Sequence, residues 1–242
     1  MLGIIGGMGP AASSLFYQMI TRKTKACCDQ ENLNLMILSH AGMPDRTTAI
    51  LSKDESQIND VKDKILADAR ILQNCGCTAL AVTCNTAHYF VNMIEEELEV
   101  GFIHMIRVTA LELAEKFRGK KVAVLATDGT IKTALYQDEF VKQGIVPFVP
   151  GKDIQKLVMH EIYDCIKSGL PADEPVWNKI DEDIRAHGCE AAILACTELS
   201  VIKSELNLPN YYYDTMEIMA DRCIDFYALR GEIKKQEGHK KI

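Results

Sequence analysis

The sequence lacks the features of exported and membrane-bound proteins. Its first ten residues carry neither a basic side chain nor a long apolar run, so we expect no secretory signal and no membrane-spanning segment. Low-complexity tracts are also missing, and 48% of the 242 residues are hydrophobic. These properties predict an ordinary globular protein that stays in the cytoplasm.

The sequence also has no excess of basic over acidic residues. The net charge is −7, and the one basic cluster, at positions 234–241, lies in the terminal tail. Such a surface has no positively charged patch that could bind the phosphate backbone of a nucleic acid. We therefore expect no nucleic-acid partner.

The nine cysteines form neither a zinc-binding nor a disulfide pattern. Cys27 and Cys28 are adjacent, and a single residue separates Cys75 from Cys77, so the two-residue spacing of a zinc site is absent. An odd number of cysteines in a chain without a secretory signal does not indicate a disulfide framework. We expect reduced thiols and no bound metal.

Segments typical of strands and helices alternate along the chain. Strands are predicted at 2–6, 33–39, 79–83, 122–126, 145–149 and 191–194, with 33–39 as a buried strand. Helices are predicted at 11–25, 54–74, 86–98, 107–117, 130–142, 153–167, 175–187 and 215–230. The alternation predicts an α/β fold with parallel sheets, in which ligands lie beyond the carboxyl ends of the strands.

The chain contains an internal repeat. The segment from Gly76 to Cys84 aligns with the segment from Gly188 to Cys196 at a constant offset of 112 residues (84 to 196). The opening, 4–9, aligns less closely with 124–129. Each half of the chain therefore carries a cysteine at a corresponding position.

Two related halves predict two similar Rossmann-like lobes with a pseudo-twofold relation. We expect a first lobe at 1–117 and a second at 118–214, with the helix at 215–230 packing back on the first. This arrangement would bring the two strand-end cysteines together across the cleft between the lobes.

Cys84 and Cys196 each follow a predicted strand and precede a predicted helix. The free N–H groups and partial positive charge of a helix N-terminus favour a thiolate there. Racemisation without pyridoxal phosphate needs a base on one face of the α-carbon and an acid on the other. One cysteine from each lobe meets this need. The other seven cysteines are interpreted as small core hydrophobes: Cys27, Cys28, Cys75, Cys77, Cys165, Cys189 and Cys223.

At these residues the sequence resembles the aspartate/glutamate racemase superfamily, and more closely its aspartate racemase branch. The resemblance covers essentially the whole chain. Its most specific parts are Gly6-Gly7-Met8-Gly9-Pro10, Cys84-Asn85-Thr86-Ala87-His88 and Cys196-Thr197-Glu198-Leu199. Glutamate racemases are expected to show an Asp-Ser-Gly opening and a Cys-Thr-His motif, and this chain has neither.

The resemblance implies a dimeric enzyme that uses no metal or organic cofactor and interconverts L- and D-aspartate. The sequence leaves open glutamate or a broader range of amino acids as its substrate. Cys84 and Cys196 match the catalytic pair. Arg46 matches a loop arginine that would hold the side-chain carboxylate of aspartate through a bidentate pair. The other matched positions are assigned to substrate binding: Met8, Gly9, Asn85, Thr86, Thr127, Lys167, Thr197 and Glu198.

Other interpretations stay open from the sequence. A two-lobed protein could bind an acidic amino acid without turnover, and the same superfamily contains hydantoin racemases and maleate isomerases. Arg46 also fits a solvated loop residue, and Lys167 fits a lysine at a helix C-terminus equally well. Glu198 fits an acidic residue in a helix's first turn. His88 fits a packing residue as well as a contact to the Cys84 thiol, and we leave it out of the predicted site.

Overall fold

A computed structural model describes residues 1–239, with side chains up to residue 228. The basic cluster at 234–241 therefore lies outside the residues whose side chains are described. The strands are β1 Leu2–Gly6, β2 Leu35–Ser39, β3 Ala79–Val82, β4 Lys121–Ala126, β5 Val146–Phe148, β6 Ala191–Ala195 and β7 Tyr212–Asp214.

Helices connect the strands and follow the last one. Within residues 1–239, none of them is long and apolar enough to cross a membrane. The α-helices are α1 Pro10–Lys23, α2 Arg46–Ser52, α3 Glu55–Asn74, α4 His88–Ile94, α5 Met105–Phe117, α6 Asp128–Lys132, α7 Leu135–Lys142, α8 Lys152–Met159, α9 Glu174–Ala186, α10 Thr197–Glu205 and α11 Thr215–His239.

The strands form two parallel sheets that share one arrangement. Their orders are β2-β1-β3 and β5-β4-β6-β7, so the first strand of each half lies inside its sheet. Ile5 of β1 lies beside Val82 of β3, and Leu125 of β4 lies beside Leu194 of β6. Corresponding strands thus end at corresponding edges. The predicted α/β fold with two similar lobes is confirmed.

Helices cover both faces of each sheet, which explains why the inner strands are apolar along their whole length. On one face of the first sheet, α3 and α4 bury residues such as Ile65 and Phe90. On its other face, α1 and α11 bury Phe16 and Met216. In the second sheet, α5 and α7 cover one face, and α8, α9 and α10 cover the other.

Two helices link the halves of the chain. Helix α11 packs on α1 and the first sheet, where Met219 and Cys223 join the core. Helix α5 packs on the second sheet, because Ile106 and Leu113 belong to the same buried cluster as Val122. A division of the lobes at 117/118 stays a prediction.

The predicted strand at 33–39 and the predicted helix at 130–142 both differ from the structure. Strand β2 lies at the edge of its sheet and is not buried, and Ile37 is 39% exposed. The predicted helix at 130–142 is broken in two, because Ala134 adopts a left-handed conformation with φ 54°.

The helix predicted at 153–167 changes its winding before it ends. Its α-helical part stops at Met159, and a π-helical turn, His160–Cys165, and a 3₁₀ turn, Ile166–Ser168, follow. A π-helical turn at the end of an α-helix is frequent at functional sites. It changes the direction in which Lys167 leaves the backbone.

The cysteines outside the cleft fall into two groups. Cys77, Cys165, Cys189 and Cys223 are buried, as predicted for core hydrophobes. The same prediction is wrong for the three exposed ones: Cys27, Cys28 and Cys75. Cys27 and Cys28 lie in the connection after α1, and Cys75 caps the solvent end of α3.

Candidate active site

The two strand-end cysteines line one small, nearly closed cavity in the cleft. Cys196 directly follows β6 and is the N-cap of α10, whereas Cys84 follows β3 through Thr83. Ten of the eleven residues predicted for the site line this cavity: Met8, Arg46, Cys84, Asn85, Thr86, Thr127, Lys167, Cys196, Thr197 and Glu198. The eleventh, Gly9, lines an adjoining outer cavity.

The helix start near Cys84 differs from the prediction. Helix α4 begins at His88 with Ala87 as its N-cap, so Asn85 and Thr86 lie in a turn and not at the cap. In the other half, Cys196 itself is the cap, and Thr197 begins α10. The first N–H groups of α10 have no partner within the helix and point toward the cavity end. Only the Cys196 side therefore has the predicted helix N-terminus directly at the thiol.

Cys196 belongs to a chain of polar contacts. Its thiol donates to Glu198 Oε2 at 2.9 Å, and Lys167 Nζ donates to Glu198 Oε1 at 2.7 Å. Burial and the Glu198 carboxylate raise the pKa of the Cys196 thiol well above its usual value. The expectation that this position favours a thiolate is therefore wrong for Cys196. The thiol form is the stable one.

Lys167 is held as an ammonium ion. Burial lowers the pKa of its amine, but the negative charge of Glu198 outweighs burial and raises it. Its ion pair with Glu198 joins the 3₁₀ turn after α8 to helix α10. Lys167 also lies in the last turn of that helical segment, as the alternative reading expected, so it combines this position with the ion pair to Glu198.

Arg46 is the second cation that lines the cavity. It is the first residue of helix α2, directly after the loop, and is 7% exposed, so the alternative reading of a solvated loop arginine is wrong. Its Nη1 donates to Pro44 O at 3.0 Å, and its Nη2 donates to Met8 O at 3.3 Å. Its Nε is buried without a partner. Burial opposes the charge of the guanidinium, but the facing Cys84 raises the Arg46 pKa.

The thiols therefore have opposite electrostatic surroundings. A guanidinium faces Cys84, whereas a carboxylate accepts from Cys196. An anion beside a cysteine favours the thiol form, as Glu198 does at Cys196.

Asn85 presents an unused donor in the buried site. Its Oδ1 accepts from Tyr136 Oη at 2.5 Å, which fixes the orientation of the amide. The Asn85 Nδ2 group is buried and has no partner. An unpaired buried donor costs free energy unless a ligand takes it up.

Three hydroxyl groups join the lobes beside Asn85. Thr86 Oγ1 lies 2.9 Å from both Thr127 Oγ1 and Thr130 Oγ1, and the last two are 3.2 Å apart. Thr86 comes from the first half of the chain, and the other two come from the second. Thr127 also caps α6.

Sequence reasoning missed three residues that line the cavity: Asp45, Thr47 and Tyr163. Asp45 caps α2 and accepts from Tyr163 Oη at 3.1 Å, which joins the two lobes. Two signals could have found them. Asp45 and Thr47 flank Arg46, and Tyr163 precedes Lys167 by one helical turn.

The cavity around the thiols is nearly closed. Its volume is about 10 Å³, which is room for about one water molecule. The outer cavity beside it measures about 330 Å³. Residues that line both form the wall between them: Met8, Asp45, Arg46, Lys167 and Glu198.

A family model for Asp/Glu/hydantoin racemases matches residues 5–223. The chain belongs to this family. The racemase is 26% identical over 232 residues to the broad-specificity amino-acid racemase RacX of Bacillus subtilis, covering 94% of this chain and 98% of that protein.

Solved structures agree with this assignment. An aspartate racemase from Picrophilus torridus shares 30% identity with a TM-score of 0.74, covering 93% of this racemase and 92% of that chain. A glutamate racemase from Francisella tularensis, in complex with D-glutamate, has the same fold with a TM-score of 0.64 at 17% identity, over 96% and 81% of the two chains. The protein is an aspartate racemase-like enzyme, and the resemblance inferred from its motifs is confirmed.

The racemase offers many donors at this site but no cluster of metal ligands. Among the described residues, no group of three or more His, Cys, Asp or Glu side chains is placed to hold a metal ion. The groups that line the cavity are two thiols, two cations, two carboxylates, one buried amide and several hydroxyls, and Glu198 is already paired with Lys167. This set suits a small anionic substrate and proton transfer.

Proposed function

We propose that this racemase interconverts L- and D-aspartate without pyridoxal phosphate, with Cys84 and Cys196 exchanging protons with opposite faces of the substrate's α-carbon. The observation that carries the proposal is that both thiols, from corresponding strand ends, line one small, nearly closed cavity. Two acid/base groups on opposite sides of an α-carbon are what inversion requires.

The surroundings of the two thiols favour Cys84 as the base and Cys196 as the acid in the first turnover. Cys84, which faces Arg46, removes the α-proton as a thiolate, so that an S–H bond forms and the C–H bond breaks. The electron pair of that bond moves into the α-carboxylate. Cys196, which holds its proton toward Glu198, delivers it to the opposite face of the carbon. The reverse reaction exchanges the two roles.

The proposal needs donors that stabilise the charge on the α-carboxylate. The unpartnered Nδ2 group of Asn85 is one. The N-terminal N–H groups of α10, beginning at Thr197, supply others. The hydroxyl groups of Thr86 and Thr127 complete the set. These donors come from both lobes, so they act together only when the cleft is closed.

An acidic side chain is the substrate feature we propose for recognition. Arg46 and Lys167 place two positive charges at the cavity, and the Arg46 Nε donor is unpaired. Likeness to the Picrophilus torridus aspartate racemase favours aspartate. Likeness to RacX favours a broader range of amino acids as the second candidate. Glutamate is the acidic amino acid to compare first.

We further propose a cytoplasmic homodimer whose subunits divide into lobes at 117/118. The nine cysteines, all within the described residues, are free, which suits a reducing compartment. Size-exclusion chromatography with light scattering measures the assembly.

The function is tested by incubating reduced protein with L-aspartate in D₂O, with a chelator and without pyridoxal phosphate. NMR follows α-deuteration, and chiral chromatography follows D-aspartate. We expect deuterated D-aspartate, and a loss of about 10³-fold or more in rate for Cys84→Ala and for Cys196→Ala. Cys189→Ala, a buried cysteine that does not line the cavity, is the matched control.

Near-wild-type turnover in Cys84→Ala or Cys196→Ala would remove the two-thiol mechanism. Tight binding of aspartate without exchange of the α-proton would identify a binding protein instead. Exchange with many amino acids at similar rates would select the broad-specificity enzyme.

A further inference from the structure

His88 is a buried histidine whose two ring nitrogens both have partners. It is 0% exposed and begins helix α4, four residues after Cys84. Its Nδ1 lies 2.9 Å from the carbonyl oxygen of Cys84. Its Nε2 lies 3.1 Å from the backbone nitrogen of Met105, at the start of α5. The His88 ring therefore connects the turn that carries Cys84 to the first residue of helix α5.

The partners fix which nitrogen carries the proton. The N–H of Met105 can only donate, so Nε2 of His88 must accept. Nδ1 then carries the hydrogen and donates to the Cys84 carbonyl. The neutral tautomer with hydrogen on Nδ1 satisfies both contacts, and the cation does not.

The ring is kept neutral by its surroundings. Burial lowers the pKa of His88 to about 4, although its contacts with the backbone at Cys84 and Asn85 oppose the shift. The ring of His104 packs edge-on at 4.5 Å between centroids. His88 therefore donates the same hydrogen bond throughout the neutral pH range and does not act as an acid or base there.

The hydrogen bond from His88 to Cys84 O lies in the turn between β3 and α4. Between the end of β3 and the start of α4, the chain turns through Cys84 to Ala87. The N–H of His88 bonds to Asn85 O at 3.0 Å, so it is not used for Cys84 O four residues back. The side chain of His88 makes that contact instead.

The second partner connects this turn to a rigid element. Met105 begins α5, which packs on the second sheet through Ile106 and Leu113. A hydrogen bond from Met105 to the ring thus transmits the position of α5 to the backbone of Cys84.

We propose that His88 is a positioning residue, which holds the Cys84 backbone through its Nδ1–H group and so sets the direction of the Cys84 thiol toward the α-carbon. This inference rests on the proposed function. It assigns His88 no contact with substrate. Its effect is on the geometry of one of the two proton-transfer groups, where a displacement of about 1 Å costs about 10²-fold in rate.

Two near-isosteric variants separate the two contacts. In His88→Asn, the amide nitrogen occupies the place of Nδ1 and keeps the donor to Cys84 O. In His88→Gln, the amide oxygen occupies the place of Nε2 and keeps the acceptor for Met105 N–H. A residue needed only for packing would respond similarly to both changes.

We expect His88→Asn to keep kcat within about threefold and His88→Gln to lower kcat by about 10²-fold, with KM changed by less than about twofold in each. A second readout is the rate of iodoacetamide labelling of Cys84 and Cys196, resolved by peptide mass spectrometry. His88→Gln should change labelling of Cys84 by at least about threefold and leave Cys196 unchanged.

Equal losses of kcat in both variants, or unchanged labelling of Cys84 in His88→Gln, would overturn the proposal. If the glutamine variant does not fold, His88→Asn decides alone, because a large loss of kcat with the donor retained contradicts it. If the wild-type protein racemises no amino acid, the proposed function fails. The labelling experiment then still tests whether His88 positions Cys84.

Discussion

Glu198 shows how one residue makes two repeat-related thiols unequal. Its carboxylate accepts from Cys196 at 2.9 Å and from Lys167 at 2.7 Å. Because the carboxylate is only an acceptor when ionised, Cys196 must supply the hydrogen of the first contact. The repeat places thiols at corresponding positions, but their immediate neighbours decide which one holds the proton.

Replacing Glu198 by Gln should shift the pH profile of the enzyme. Burial and the Glu198 charge raise the pKa of Cys196, so removing the charge lowers that pKa and Cys196 loses its proton at a lower pH. The alkaline limb of kcat, in the direction that uses Cys196 as the acid, should therefore move to lower pH. Initial rates from pH 6 to 10, measured from each enantiomer, test this.

The matched control for that profile is Glu190→Gln. Glu190 makes an exposed ion pair with Lys120 away from the cavity, and its replacement should leave the profile unchanged. A limb that stays in place in Glu198→Gln, or moves to higher pH, would contradict the role of the carboxylate.

The chemistry of the site could be predicted from the sequence, but its contacts could not. The motifs around Cys84 and Cys196 contain six of the ten predicted residues that line the cavity, because strand-end positions are fixed by the fold. The family resemblance supplied the other four: Met8, Arg46, Thr127 and Lys167. The burial of Arg46 and of Cys196 depends on packing between segments far apart in the chain. Burial reverses the effect of the helix N-terminus on Cys196, and no local pattern reports burial by a distant element.

At the scale of elements, the strands were predictable and the ends of the helices were not. Continuous apolar runs identify β1, β3, β4 and β6, because both of their faces are covered. Helix α2 was missed, since its seven residues show too little periodicity. The break at Ala134 and the π turn after Met159 have no Gly or Pro to mark them.

Helix α5 has an unusual N-cap, which predicts instability in acid. His104 caps the helix by accepting from Arg107 N–H, and it packs against His88. Burial, followed by the charges of His88 and Arg107, lowers the pKa of His104 to about 2, and burial lowers that of His88 to about 4. Between these values and pH 6.5, the unfolded chain binds more protons than the folded one. Stability should therefore be full above pH 6.5 and fall as the pH drops below it.

His104→Asn should weaken that dependence, because Asn is a good N-cap that does not titrate. Between pH 4 and 6, the free energy of unfolding should change with pH by about 1.4 kcal/mol per unit less than in the wild type. Urea unfolding at several pH values measures the slope. His187→Asn, at an exposed histidine that caps α9, is the control. Equal slopes in His104→Asn and the wild type would show that His104 is charged in the folded protein.

At the scale of the whole molecule, the reaction depends on two lobes that meet closely. Hydroxyl groups of Thr86, Thr127 and Thr130 join across the cleft, as do Asp45 and Tyr163. The cavity of about 10 Å³ is far smaller than an amino acid. The residues between this cavity and the outer one must therefore move apart before a substrate can enter. Opening and closing of the lobes is therefore part of the catalytic cycle that we propose.

Gly129 tests how closely the lobes must meet. It lies in α6, and a Cβ atom there would come within 2.9 Å of Thr47 Cα and 3.1 Å of Thr86 Cγ2, both in the other half of the chain. The Thr47 contact is with backbone, so it cannot be relieved by rotating a side chain. Gly129→Ala should hold the lobes apart and lower kcat by about 10²-fold.

Stability should respond differently from activity in this variant. Ala favours a helix over Gly by about 1 kcal/mol, which offsets part of the strain, so we expect a small change in the free energy of unfolding. Gly101→Ala is the matched control, because nothing lies within 4 Å of its added Cβ atom, and it should keep full activity. Steady-state kinetics and urea unfolding of both variants give the comparison. Full activity in Gly129→Ala would mean that the lobes reach the reactive geometry without the contact between α2 and α6.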